Sequence, residues 1–265
     1  MTQMCGVPPR GRDVPDPAGQ DAAGLAAATG RRIDLAGLFN LRDLGGYPTA
    51  GGSLPWRTLL RSDSLHQLDA DGIAALSALG LRTVVDLRTH AEAEIAPSPA
   101  GRLSARSSHI SILGGGDLQS LPLELAAIYQ YVVDECGEAI AGAIRLLCSA
   151  DAYPALVHCS AGKDRTGIVI SMVLAVLGVP DELIAADYAL SGSYLDPANT
   201  AAIGQLQAGT GLGAELTSSL LGSPPALILT VLDRARTVYG TVDGYLLAHG
   251  LTAADLAALR AALAG

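Results

Sequence analysis

Lysine is nearly missing from this chain of 265 residues: Lys163 stands alone against sixteen arginines. A GC-rich genome produces that bias, so the shortage by itself carries no function. Aromatic residues are scarce as well, at 4%, with one Trp and one Phe. An aromatic core is therefore excluded, and an aliphatic one is expected. Positive charge is in deficit. A net charge of −9 argues against nucleic-acid binding and against attraction to anionic membrane surfaces, so an anionic substrate must be captured by a local group of cations. Four cysteines scattered over this length form no disulfide framework. Cys5, Cys136 and Cys148 also lack the spacing of metal ligands, and neither a metal nor another cofactor is expected. Long apolar runs are missing too: Ile168 to Val179 is too short to span a bilayer. No cationic segment followed by an apolar run opens the chain, as a secretory signal would require. The expected location is a reducing cytoplasm.

What is present is a hydrophobic half, 49% of all residues, enough to fill the core of one large α/β domain or two small ones. Residues 1–32 are rich in Pro, Gly, Ala and Asp without periodicity and read as a disordered leader, with the domain over 33–265. Trp56 to Arg61, Leu81 to Leu87 and Pro154 to His158 read as strands. Helical periodicity marks Ser64 to Leu79, closed by Gly80, and Leu123 to Ala150 with a break near Gly137. Helices are also expected over Pro180 to Leu190, Ala226 to Tyr239 and Thr252 to Leu263, whereas 91–122 reads as loop. Strands alternating with helices imply a mostly parallel central sheet with helices on both faces. Ligands of such sheets bind beyond the carboxyl ends of the strands. Arg61-Ser62-Asp63, Asp86-Leu87-Arg88 and Cys159 all follow strands, so they are expected at one rim.

The densest chemistry lies in His158-Cys159-Ser160-Ala161-Gly162-Lys163-Asp164-Arg165-Thr166-Gly167, between a buried strand and an apolar helix. Backbone N–H groups from Ser160 to Arg165, including those of Ala161, Gly162, Lys163 and Asp164, can all point inward, and the first helical turn adds its positive end. Gly162 and Gly167 permit a sharp turn and close approach. Arg165 offers a planar fork for two phosphate oxygens. At such a site the pKa of Cys159 falls, giving a thiolate nucleophile. Thr166 is placed to hydrogen-bond that thiolate, His158 to order the loop, and Lys163 to reach a second phosphate as a mobile point charge. Three blander readings compete. A core cysteine does not explain Lys163, Asp164 and Arg165; a metal site lacks ligands. A nucleotide P-loop requires Ser or Thr where Asp164 stands.

The loop resembles the signature of the protein tyrosine phosphatase family, His-Cys-x5-Arg-(Ser/Thr), and is similar to its bacterial branch with activity on phosphotyrosine and phosphoinositides. Phe39 to Gly46, Leu59 to Asp63, Val84 to Arg88 and Tyr239 to Leu246 resemble further elements of that branch. The similarity covers about 33–265 and weakens over 93–125 and 196–225. It implies a cysteine phosphatase fold, with a helical lid over 196–225, and a phosphocysteine intermediate. Arg42 and Asp43 become supports that orient the loop, and Arg61 and Arg88 stand behind it.

Two residues qualify as the acid that protonates the leaving oxygen. Asp86 stands at a strand end, where the resemblance places the branch's acid, and is the expected acid; Asp164 lies in the loop itself, is the alternative, and could instead cap the helix. The substrate is a phosphorylated protein, lipid or small molecule. Phosphotyrosine or a phosphoinositide is what the resemblance implies, and a small phosphorylated metabolite is the alternative. A sulfurtransferase and a phosphate-binding pseudoenzyme are weaker rivals, and the oligomeric state stays open.

Overall fold

The computed structural model describes residues 30–113, 124–195 and 222–264. At its centre lies a five-stranded sheet in the order β1 (Arg42–Asp43), β4 (Leu59–Ser62), β7 (Ala155–His158), β5 (Thr83–Asp86) and β6 (Arg106–His109). Only β1 runs antiparallel to its neighbour. A small hairpin of β2 (Pro48–Thr49) and β3 (Gly52–Ser53) stands apart. All residues of β4, β5 and β7 are buried, as expected of parallel strands covered on both faces.

Strand alternation sorts the core into two layers. Leu60, Val84 and Leu156 face one side, with Leu65, Leu68, Ile73 and Leu76 from the segment leading into and forming helix α1 (Ala70–Ser77). Leu59, Val85, Ala155 and Val157 face the other side. There they meet α3 (Leu125–Glu135), α4 (Gly137–Arg145), α5 (Asp164–Val176), α6 (Asp181–Tyr194), α7 (Pro225–Tyr239), α8 (Val242–Ala248) and α9 (Ala253–Leu263). Helix α5 runs through the middle, with eleven of its thirteen residues buried, which is why its sequence is apolar all round. None of the described helices is long and apolar enough to cross a membrane.

Several expected boundaries move for local reasons. The helix expected from Ser64 starts instead at Ala70, because the Asp69 side chain accepts from Gly72 N and caps it there. The break near Gly137 falls at Cys136, between α3 and α4. A Cβ on Gly137 would lie 2.1 Å from the His249 ring, so only glycine lets α4 pass. The described part of the stretch read as loop over 91–122 holds most of α2 (His90–Ile95), opened by a Thr89–Glu92 capping box, and the edge strand β6, while 114–122 lie outside the described residues. Strand β6 escaped notice because Arg106-Ser107-Ser108-His109 is polar and largely exposed; pairing with β5 makes it a strand. Of the expected leader, residues 1–29 lie outside the described residues. Arg31, which follows, is buried, with its guanidinium 3.9 Å from the Tyr47 ring centroid. Most of the expected lid, 196–221, also lies outside the described residues.

Candidate active site

The loop leaves β7 at His158 and becomes α5 at Asp164. Its shape is set by where its carbonyls go. Ser160 O accepts from Ser64 N at 3.0 Å. Ala161 O accepts from Asn40 Nδ2 at 2.9 Å, and Gly162 O from an Arg61 guanidinium nitrogen at 2.8 Å. Lys163 O accepts from Gly167 N at 2.7 Å and from the same Arg61 nitrogen at 3.3 Å. Four successive carbonyls are thus tied outward. The N–H groups of Ser160, Ala161 and Gly162 find no backbone acceptor among the described residues, and those of Asp164 and Arg165 open α5, where the first N–H groups have no acceptor within the helix, which is the polarity an anion requires. Gly162 makes the turn at φ +66°, and a Cβ there would lie 2.3 Å from Ser62 O. No other residue fits. Cys159 sits at the base of the loop, buried.

Behind the loop lies an ion network. Asp187 of α6 accepts from Arg42 Nε at 3.1 Å, from an Arg61 terminal nitrogen at 2.7 Å and from Tyr47 Oη at 3.2 Å. Burial alone would raise its pKa; Arg42 and Arg61 outweigh that and hold it at about 2. Arg61, pulled down to about 10 by burial and by Arg42, stays cationic at neutral pH. It joins Asp187 to the loop carbonyls. Arg42 also donates to the Asn40 side chain, and Asn40 in turn holds Ala161. Asp63 accepts from Phe39 N and Asn40 N, and burial pushes its pKa up to about 6 despite these bonds. Asp187 was not singled out from the sequence; the available signal was one acidic residue inside the otherwise apolar Leu183 to Leu190.

Glu92 was missed as well. It is buried on α2, and its two oxygens receive the two terminal nitrogens of Arg165, one at 2.8 Å. One oxygen also accepts from Ser160 Oγ at 2.5 Å and the other from Thr89 N at 2.7 Å. Burial works to raise the Glu92 pKa, but Arg165 and these donors hold it far below the usual carboxylate range. Arg165 is raised in turn against its own burial. The capping-box spacing Thr89-x-x-Glu92 was visible in the sequence; its reach to Arg165 was not.

The expected support residues divide. Asp43 shapes its own turn, accepting from Gly45 N at 2.8 Å and Arg57 N at 2.7 Å, rather than orienting the loop. Lys163 is not a mobile surface charge: it is fully buried, with Nζ donating to Gly222 O at 2.8 Å and lying 3.5 Å from Asp164 Oδ1. Thr166 does not hydrogen-bond Cys159; its Oγ1 is buried with no partner among the described residues. His158 is buried, with Nδ1 3.2 Å from Cys159 O and Nε2 3.8 Å from Asp86 Oδ2. Burial pulls its pKa down, so it is neutral at pH 7.

The two candidate acids differ sharply. Asp86 lies level with His158 across β5 and β7. Its carboxylate takes Arg88 Nε at 3.0 Å on both oxygens, a terminal Arg88 nitrogen at 2.7 Å and Arg88 N at 3.0 Å. Burial would raise its pKa, but the His158 and Arg88 neighbours keep it below the ordinary value. With His158 neutral, the Arg88 fork does this at pH 7. Both oxygens of Asp86 are thus held by Arg88, which weighs against the expectation that it is the acid. Asp164 accepts from Tyr129 Oη at 2.6 Å on Oδ1, and Oδ2 accepts from none of the described residues. Nor does Asp164 cap α5, whose cap position is Lys163.

Comparison with known proteins agrees with this geometry. The family model described as the tyrosine phosphatase family matches residues 33–265. The chain is 29% identical to the triple specificity protein phosphatase PtpB of Mycobacterium tuberculosis, over 88% of this chain and 99% of that protein. It is 30% identical to a Cupriavidus necator protein described as a tyrosine-protein phosphatase, over 84% and 86% of the two chains. A tyrosine-protein phosphatase of Nostoc commune is 31% identical over 54% of this chain and 51% of its own.

Proposed function

Because the chain belongs to the tyrosine phosphatase family, and is thereby a phosphoric monoester hydrolase, we propose that it dephosphorylates phosphotyrosine through a phosphocysteine on Cys159. The observation that carries this reading is the set of four loop carbonyls tied outward around Cys159. It leaves the amides to receive a phosphoryl group, together with the edge of the Arg165 fork that Glu92 does not take, its Nε–H and one terminal N–H. Glu92 holds that fork in one plane before substrate arrives, which lowers the ordering cost of binding.

In the first step Cys159 Sγ attacks phosphorus as the P–O bond to the leaving group breaks. Asp164, protonated on Oδ2, gives its proton to the departing oxygen. Water then attacks phosphorus, and the same carboxylate takes the water's proton. The S–P bond breaks, and thiolate and inorganic phosphate are restored. Asp164 is preferred over Asp86 because its second oxygen takes no donor from the described residues, whereas Asp86 is committed to Arg88.

The mycobacterial relative's name declares triple specificity, so the substrate screen extends beyond phosphotyrosine peptide to phosphoserine peptide, phosphoinositide and nucleoside monophosphate. We expect phosphotyrosine peptide to give the highest kcat/KM. Cys159→Ser should abolish turnover of every substrate while calorimetry still detects phosphotyrosine-peptide binding. A serine variant with more than trace turnover would overturn the covalent mechanism.

A further inference from the structure

We infer that Tyr129 is a positioning residue for proton delivery: its hydroxyl holds Asp164 by Oδ1, so that Oδ2 is the oxygen that carries the exchangeable proton. The inference rests on the reading of Asp164 as the general acid.

Tyr129 comes from α3, thirty-five residues before Asp164, and its side chain is buried. Its Oη lies 2.6 Å from Asp164 Oδ1 and 2.7 Å from Tyr188 Oη of α6. A phenol has one proton. Tyr129 spends its proton on the carboxylate, so Tyr188 donates to Tyr129, and the chain has one direction: Tyr188 to Tyr129 to Asp164. Burial, together with the charge of Asp164, raises the Tyr129 pKa well above its ordinary value, which keeps it a donor throughout the working range. The Tyr188 ring is fixed in turn by Gly167, where an added Cβ would come within 2.9 Å of Tyr188 Cδ2. The two tyrosine rings pack edge to face, with centroids 6.2 Å apart. Both hydroxyls are therefore carried by buried, packed rings.

Among the described residues, two further charged groups near Asp164 come from the loop. Lys163 Nζ lies 3.5 Å from the same Oδ1, and the Arg165 charge is balanced by Glu92. All identified contacts thus converge on one oxygen and leave the other. A donor on Oδ1 selects Oδ2 as the protonated atom and locks the rotamer, which matters because proton transfer requires hydrogen-bond reach to the departing oxygen.

Leaving-group dependence tests this. With phenyl phosphate, whose leaving group needs protonation, Tyr129→Phe should lower kcat about tenfold, the effect of losing one hydrogen bond to a charged group. With 4-nitrophenyl phosphate the loss should stay within about twofold, with KM unchanged for both esters, because an activated phenolate leaves with little help. Asp164→Asn should show the same selectivity more strongly, and the double variant should be no slower than Asp164→Asn alone. Tyr188→Phe, which leaves the Asp164 contact intact, should show the selective pattern in weaker form and serves if Tyr129→Phe does not fold. Equal slowing of both esters by either tyrosine variant, a change in KM alone, or additive losses in the double variant would overturn the inference while leaving Asp164 as the acid. If Asp164→Asn itself slows both esters equally, the acid assignment fails, and the role of Tyr129 falls with it.

Discussion

Glu92 and Arg165 form a two-pronged ion pair across 73 residues of sequence, and this pair sets the plane of the guanidinium at the mouth of the loop. Neither residue is free to rotate: Glu92 is also anchored by Thr89 N and Ser160 Oγ. Arg165, the arginine proposed to bind phosphate, is thus held by a carboxylate that has no place in the loop motif.

Removing that carboxylate should be costly twice. Glu92→Ala leaves a buried guanidinium unpaired, and breaking such a pair typically costs about 3–5 kcal/mol. We expect thermal unfolding to register a loss of that order and KM for phosphotyrosine peptide to rise. Glu92→Gln, which keeps a carbonyl acceptor, should recover part of both. An alanine variant with unchanged KM and melting temperature would show that Arg165 is held by something else.

Asp187 should dominate one part of the stability–pH curve. Its folded pKa is depressed to about 2, below an unfolded value of about 3.9. Its contribution is therefore complete above about pH 4 and is lost as pH falls through about 2, a difference of about 2–3 kcal/mol by linkage. Denaturant titrations of wild type and Asp187→Asn should converge as pH drops across that window. A gap that stays constant down to pH 2 would contradict the Arg42–Asp187–Arg61 network as the cause.

Two glycines give opposite expectations. Gly162→Ala forces a Cβ to 2.3 Å from Ser62 O at φ +66°, so the loop must open. We expect kcat/KM to fall by about 10²-fold or more, the range seen when a 1 Å displacement disturbs a catalytic site. Gly142→Ala, on α4 with nothing within 4 Å of the new Cβ, should raise stability by about 0.5–1 kcal/mol and leave turnover unchanged. Tolerance at Gly162 would mean that the loop is not held against β4.

Arg61→Lys should behave as a disruptive change despite its conserved charge. Arg61 reaches Asp187 with one terminal nitrogen and Gly162 O with the other. An ammonium is a single point and cannot span both. We expect phosphate-competitive vanadate inhibition to weaken by at least about tenfold, the worth of one hydrogen bond to a charged group. Full inhibition in the lysine variant would place the loop's support elsewhere.

The gap between what was read and what was found has a consistent physical origin. Strands β4, β5 and β7 were legible because their apolar runs are buried on both faces, a property each residue carries in its own side chain. Strand β6 was not, since Arg106-Ser107-Ser108-His109 is polar and becomes a strand only through its partner β5. Asp86 was favoured over Asp164 as the acid because it stands at a strand end where the resemblance places one. Arg88 and Tyr129 separate them, and each acts through side-chain geometry that spacing does not encode. Lys163 read as a mobile charge because a lone lysine in a loop is normally solvated; burial against Gly222 O makes it part of the loop's frame.

By itself the sequence determined the loop from His158 to Gly167, its place between a buried strand and an apolar helix, and the parallel sheet beneath it. Those follow from local rules: glycine where the backbone must turn, a cysteine and an arginine with five residues between them, and periodicity that each segment carries alone. Only the tertiary structure decided that Glu92 holds Arg165, that Asp187 sits between Arg42 and Arg61, and that Asp86 is neutralised by Arg88 while Asp164 is held by Tyr129. Those pairings depend on which buried charges meet once the chain has closed. In a low-dielectric interior each charge must find its partner wherever the fold brings one, whatever the distance along the chain.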